Sequence, residues 1–254
     1  MRFLLAVCLA SGIALAEKAE PTQSEIDKII EKFAAKEAEF ALARENYTYR
    51  QFVKLQELDG GTFEVISDIM FTGEGKRTER VVRAPVPTLK MIQLTPEDEQ
   101  DLRSVQPFVL TTKDLPKYEI RYLGKQTLDE IPCYVFAVKP KKLESGQRYF
   151  QGQVWVDDRD LQIVKSYGRA TGLVKKGFDY QFPKFETYRE QIDGKYWFPT
   201  YTVANDTLQF QSGPVRIKET VRYADYKQFK ADTKIIFGDE VKPQSPPPAQ
   251  PKKP

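Results

Sequence analysis

Histidine is missing from all 254 residues. Its absence removes the side chain that most often serves as general base, metal ligand or triad member near neutral pH, and leaves only carboxylates and thiols for such work. Cysteine occurs twice, as Cys8 and Cys133. No hydrophobic run reaches bilayer length, because the longest apolar stretch, near Phe3–Ala10, is too short to span a membrane as a helix. Charge of one sign is also lacking: 39 Lys and Arg against 36 Asp and Glu give a net charge of +3. That balance provides no electrostatic footprint for a nucleic-acid partner. Against these absences stand 13 Tyr, 16 Phe and a hydrophobic fraction of 41%, enough apolar surface for one sizeable core.

The first residues read as an address. Arg2, the apolar run Phe3 to Ala10, and Ala14-Leu15-Ala16 ahead of Glu17 have the charged start, short hydrophobic core and small-residue cleavage site of a secretory signal peptide. Removing residues 1–16 takes away Arg2 and Cys8, leaving 38 basic against 36 acidic residues, or +2, and Cys133 as the one thiol. No internal disulfide is then expected, and export without a disulfide fits a bacterial periplasm better than a eukaryotic extracellular space. From Lys242 the composition changes, and six of the last twelve residues are proline. That stretch is expected to be a disordered or polyproline tail, which leaves one domain over 17–241.

Within the domain, periodicity changes once from helix to strand. Ile26, Ile29, Ile30, Phe33, Ala34, Phe40 and Ala41 recur at three- and four-residue steps behind a capping box of Thr22 and Glu25, so a helix is expected over Thr22–Glu45. Paired runs of alternating β-branched and aromatic residues follow. They are Tyr47–Leu58 with Thr62–Gly73, Tyr118–Leu128 with Pro132–Pro140, Arg148–Gly168 around Asp157-Asp158-Arg159-Asp160, and Phe185–Val203 around Asp193-Gly194. Lys76–Arg83, Leu208–Phe210 and Val215–Phe229 bring the expectation to about ten strands in a broad antiparallel sheet. Pro85 to Pro116 is an excursion from the sheet with a short helix from Thr95 to about Val105, either a lid or a packed crossover. Along Tyr149–Val156, Phe150, Val154 and Val156 share a plain core face. Tyr149, Gln151, Gln153 and Trp155 share the other, which suits either a covered sheet or the wall of an amphipathic cavity.

Chemistry is poorly supported. Asp157, Asp158 and Asp160 crowd one turn but lack the ligand spacing and glycine of a calcium loop. Glu186 and Glu190 fall on one strand face and are the pair from which a carboxylate hydrolase, a remote alternative, would be built. Cys133 has no histidine to activate it, and a buried inert thiol is expected. No cofactor and no metal are expected, and the reading is of a protein that is not an enzyme.

The helix Ser24–Arg44 feeding Tyr47-Thr48-Tyr49-Arg50-Gln51, with the later pair Gly152-Gln153-Val154-Trp155-Val156-Asp157 and Leu161-Gln162-Ile163-Val164-Lys165, resembles the outer-membrane lipoprotein carrier superfamily. Among these LolA/LolB-like proteins the chain also resembles the outer membrane lipoprotein-sorting relatives, whose length it shares more closely than that of the short carriers. The resemblance implies a mainly β (α+β) fold, a large antiparallel sheet curved into an unclosed half-barrel, covered by the N-terminal helix and the excursion. It implies a periplasmic carrier that holds the acyl chains of a lipid or lipoprotein and exchanges them with membrane-bound donor and acceptor proteins, acting as a monomer. The expected cavity lining is Phe52, Ile69, Phe71, Phe136, Val154, Val156 and Phe198, with Ile30, Phe33 and Phe40 as its cover. Each of these would serve equally in an ordinary packed core. The other reading is a periplasmic protein-interaction or envelope-sensor module on the same scaffold, docking a partner at a sheet edge or through the proline-rich tail.

Overall fold

The computed structural model describes residues 20–173, 182–210 and 212–228. The expected leader at 1–16, the proline-rich stretch from 242 and the predicted last residue of the final strand, Phe229, lie outside the described residues. Helix α1 (Gln23–Ala43) opens the described chain. Thr22 caps it: its hydroxyl accepts from the Glu25 amide, while the Glu25 carboxylate accepts from the Thr22 amide at 2.8 Å. Strands β1 (Tyr47–Glu57), β2 (Thr62–Phe71) and β3 (Arg77–Arg83) follow, then the short helix α2 (Pro96–Gln100) continued by one wide π-type turn over Asp101–Val105. Strands β4 (Tyr118–Leu128), β5 (Ile131–Pro140), β6 (Tyr149–Asp157), β7 (Ile163–Thr171), β8 (Lys184–Gln191), β9 (Trp197–Phe210) and β10 (Gly213–Gln228) complete the described residues.

All ten strands form one open antiparallel sheet in the order β3-β2-β1-β10-β9-β8-β7-β6-β5-β4. The expected hairpins are present, and their turns use the chemistry read from the sequence. The Asp157 carboxylate accepts from the amides of Arg159 and Asp160, and Gly194 takes the left-handed conformation with φ of 74°. At Asp129 and Glu130 two non-glycine residues have positive φ, 45° and 71°, as the mirror-image turn of a tight hairpin requires. Leu208–Phe210 is not a separate strand. It continues β9, which runs unbroken for 14 residues opposite β10.

The first and last strands pair in mid-sheet, so β3 and β4, neighbours in sequence, lie at opposite edges. Residues 84–117 must therefore travel from one edge to the other, and they do so across the concave face. Leu89, Ile92 and Leu94 pack on Leu55, Leu208 and Ile217, while Val105, Phe108 and Leu110 enter the main core. The excursion is a packed crossover.

Glu57, buried at the end of β1, pins its start. Its carboxylate accepts from the amides of Gly61, Lys90, Met91 and Ile92 at 2.7 to 3.2 Å. Burial pushes its carboxyl up, but the four amides outweigh that and hold it below the usual range. Glu57→Ala is expected to cost about 2 kcal/mol and to speed hydrogen exchange at Lys90, Met91 and Ile92, because those amides lose a charged acceptor. Unchanged exchange there would mean that hydrophobic contacts alone hold the crossover.

The two faces of the sheet differ. On the concave side α1 lays Phe33 against Phe136, ring centres 5.3 Å apart, within a core that includes Phe150, Val154, Val156 and Ile163. On the convex side Cys133, Val135, Trp155 and Val164 form a smaller cluster. The Cys133 thiol is pushed up to about 11 by desolvation and by Asp157 and Asp158, so it stays protonated and unreactive near neutral pH. Glu186 is paired with Lys165 at 3.3 Å, and Glu190 is exposed beside Thr200.

Candidate ligand-binding cavity

The concave interior divides into a filled half and a hollow half. Over β5 to β7 the N-terminal part of α1 packs Ile26 and Phe33 into one core with Phe136, Val154 and Val156, and the last four are fully buried. The hollow half lies along β1 and β2, between the C-terminal end of α1 and the crossover. A cavity of about 570 Å³ opens there, walled by Phe40, Tyr47, Tyr49, Phe71, Phe198 and Tyr226, with Arg44, Glu45 and the ion-paired group of Arg77, Glu79 and Arg103. Its size falls within the range of small-molecule sites. It shares Glu79 and Arg103 with a second space of about 320 Å³, whose apolar walls are Val53, Phe63, Val65, Val81, Leu94 and Leu102. That space in turn shares Val53, Phe63, Leu94 and Leu102 with a pocket of about 120 Å³ bounded by Leu55, Leu208, Phe210 and Ile217. The three share walls and follow one another along β1 and β2 beneath the crossover as a trough, apolar in part, that also carries Gln51 and Glu99 in its middle and Asp98 and Glu219 at its far end. From Tyr49 to Leu55 the strand advances about 20 Å, at ~3.3 Å per residue.

The expected lining residues scatter over this division. Phe71 and Phe198 wall the large cavity, and so does Phe40 of the expected cover. Ile69 faces the concave side next to Phe71 by strand alternation and is fully buried. Phe136, Val154 and Val156 belong to the packed half, as does Phe33; Ile30 packs partly against the same core. Phe52 is corrected: it lies on the convex face, under the Arg222 guanidinium at 3.9 Å, because the concave residues of β1 are Tyr47, Tyr49, Gln51, Val53, Leu55 and Glu57.

Several residues of the site were missed. Tyr47, Tyr49 and Val53 carried the right signal, alternation in a strand, but alternation names two faces without saying which one is hollow. The charged groups were missed as well. Glu37 lies on the apolar stripe of α1, four residues after Phe33 and three before Phe40, and that position was the available signal. It is fully buried. Its carboxylate meets the Arg189 guanidinium through both oxygens at 3.1 Å and accepts from the Ile163 amide at 3.0 Å. Burial pushes the Glu37 carboxyl up, and Arg189 opposes that shift. Arg189 also donates to the Phe108 carbonyl and stands over the Phe40 ring at 5.1 Å. One ion pair thus joins helix, sheet and crossover where the packed half meets the hollow one.

Among the described residues no group of three or more cysteine, aspartate or glutamate side chains is arranged to hold a cation, and no helix is long and apolar enough to cross a membrane.

Fold and site together define an unclosed antiparallel half-barrel with a helix and a crossover seated in its hollow and a trough left between them. Solved structures similar to it include a DUF1329 family protein from Desulfovibrio piger, with a TM-score of 0.43 and 14% identity over 83% of this chain and 94% of that one. A LolA superfamily protein from Nitrosomonas europaea is similar at a TM-score of 0.39 and 12% identity, over 78% and 93% of the two chains. An outer membrane lipoprotein-sorting domain from Vibrio parahaemolyticus is similar at 0.36 and 13%, over 79% and 93%. No protein-family model matches the chain, and no curated protein matches its sequence.

Proposed function

We propose that this protein binds an acyl chain of a lipid or lipoprotein in the trough beneath the crossover and carries it across the periplasm, without catalysing a reaction. The observation behind the reading is the space of about 320 Å³ left between sheet and crossover, with Val53 and Val65 on the sheet side and Leu94 and Leu102 on the crossover side. Exposing a methylene to water costs about 0.8 kcal/mol, so a dry slot that accepts a dozen methylenes offsets on the order of 10 kcal/mol before ordering costs. No proton transfer or nucleophile is needed for that task. The leader of residues 1–16 supports a periplasmic site of action, as a monomer that exchanges cargo with donor and acceptor proteins at the two membranes.

Solvent extraction of the purified protein followed by mass spectrometry is expected to recover lipid at close to one molecule per chain. Val65→Trp, which projects an indole into the trough from β2, is expected to lower that yield at least tenfold while Tm moves by only a few degrees. Lipid recovered equally from both proteins would place the chain elsewhere, and lipid absent from both, with no uptake of added lauric acid, would sink the carrier reading. A second reading has its own observation: β3 is an unpaired edge whose Val81 and Val82 are 56% and 50% exposed, a template for strand addition by a protein partner. Lipid-free protein that captures a peptide along β3 would favour it.

A further inference from the structure

The walls of the large cavity carry two guanidinium groups whose Nε atoms are fully buried and have no hydrogen-bond partner, those of Arg44 and Arg77. Among the described residues only two other buried side-chain polar atoms share that condition, on Ser67 and Gln106, so half of the orphans line this one space. The two arginines are not equivalent. Arg77 donates to Gln51 at 3.1 Å and to Glu79 at 3.0 Å, and Arg103 meets both Glu79 and Glu99. Arg44, which caps the C-terminal end of α1, has no ion pair and no side-chain hydrogen bond among the described residues. Burial, with the like charge of Arg189, pulls its guanidinium below its ordinary range; Tyr49, Glu37 and Glu45 oppose that only in part. Glu45 is the competing charge on the wall, but its carboxylate lies against the turn at Gly75, and adjacent residues of a helical turn do not face each other. A guanidinium with a buried, unpartnered Nε and no ion pair, at one end of a trough with apolar stretches, suits a ligand with an oxyanion at one end and a hydrocarbon at the other.

We propose that the cavity receives the anionic head of a single-chain amphiphile, a carboxylate or a phosphate monoester, on Arg44 and the free edge of Arg77, with its chain extending along β1 and β2 toward Leu55. The inference rests on the acyl-binding reading above and adds the identity of the head. Three observations support this polarity. Arg44 and Arg77 line only the α1 end of the trough, the middle adds Val53, Val65 and Leu102 beside the Arg103–Glu79–Glu99 group, and the far pocket adds Leu208, Phe210 and Ile217 beside Asp98 and Glu219. Guanidinium also suits carboxylate and phosphate because its planar fork offers paired donors to two oxygens.

The test is titration calorimetry on delipidated protein at low salt with five probes: laurate, dodecyl phosphate, monolaurin, dodecyltrimethylammonium and inorganic phosphate. Laurate and dodecyl phosphate are expected to bind at one per chain, at least tenfold tighter than neutral monolaurin, with the cationic amphiphile weakest. Arg44→Gln is expected to lower dodecyl phosphate affinity at least tenfold without changing monolaurin, and Glu45→Gln to raise dodecyl phosphate affinity severalfold. Equal binding of all four amphiphiles would overturn the head-group inference and leave acyl binding intact. Inorganic phosphate binding as tightly as dodecyl phosphate would keep the anion site and overturn the acyl reading, and no binding by any probe would overturn both. The comparison of probes uses the unaltered protein, so it holds even if a variant folds poorly.

Discussion

Arg189→Met is expected to destabilise the fold by about 3–5 kcal/mol, lowering Tm by about 10 °C, because it leaves the Glu37 carboxylate buried without its counter-ion. The pair is 2% and 0% exposed, so water cannot replace the lost partner. The cost has a pH signature. A carboxyl that loses Arg189 escapes by taking up a proton, which burial already favours, so the loss should be larger at pH 8 than at pH 4.5. The double variant Glu37→Met with Arg189→Met is expected to recover more than half of the stability, since an apolar pair of similar volume carries no desolvation cost. Full recovery is not expected, because the Ile163 amide and the Phe108 carbonyl each lose a partner. Urea denaturation of the wild type, both single variants and the double variant measures the cycle. A cost below 1 kcal/mol for Arg189→Met would mean that water reaches Glu37, and the junction of packed and hollow halves would be wetter than described.

Glu219 is expected to give the largest pH effect. It lies on β10 beneath the crossover, 9% exposed, where Gln106 donates to it, and burial pushes its carboxyl up to about 7. Its folded value lies above the ordinary 4.5, so the folded chain holds a proton that the unfolded chain has released between those values. The neutral acid's contribution is therefore complete below about pH 4.5 and is lost as pH rises to about 7, a loss on the order of 3 kcal/mol. Glu219→Gln is expected to flatten that decline, leaving stability within 1 kcal/mol of wild type at pH 4.5 and raising it at pH 8 by most of that amount. The amide also supplies a donor for Gln106 Oε1, which has no partner. Parallel stability profiles for the two proteins across this range would show that Glu219 ionises normally and that the crossover is not pressed on it.

Strand periodicity, hairpin turns and the capping box were local, and the sequence alone determined them. Asp193-Gly194, Asp129-Glu130 and the Asp157 turn each act through their own backbone, so their hairpins could be read without knowing the rest of the chain. The apolar stripe of α1 was equally legible, and its two phenylalanines meet aromatic partners, Phe33 on Phe136 and Phe40 edge-on to Phe198 at 5.2 Å. What only the tertiary structure decided is which face encloses space. Alternation on β1 separates Phe52 from Val53, but the pairing of β1 with β10 and the path of residues 84–117 determine that Val53 faces the trough and Phe52 faces Arg222. The same holds for charge: Glu37 and Arg189 stand 152 positions apart, and Arg44 is left without a partner only by what surrounds it. Local patterns follow from the geometry of a few adjacent residues, whereas a cavity and its unpaired charges follow from contacts between segments far apart in the chain.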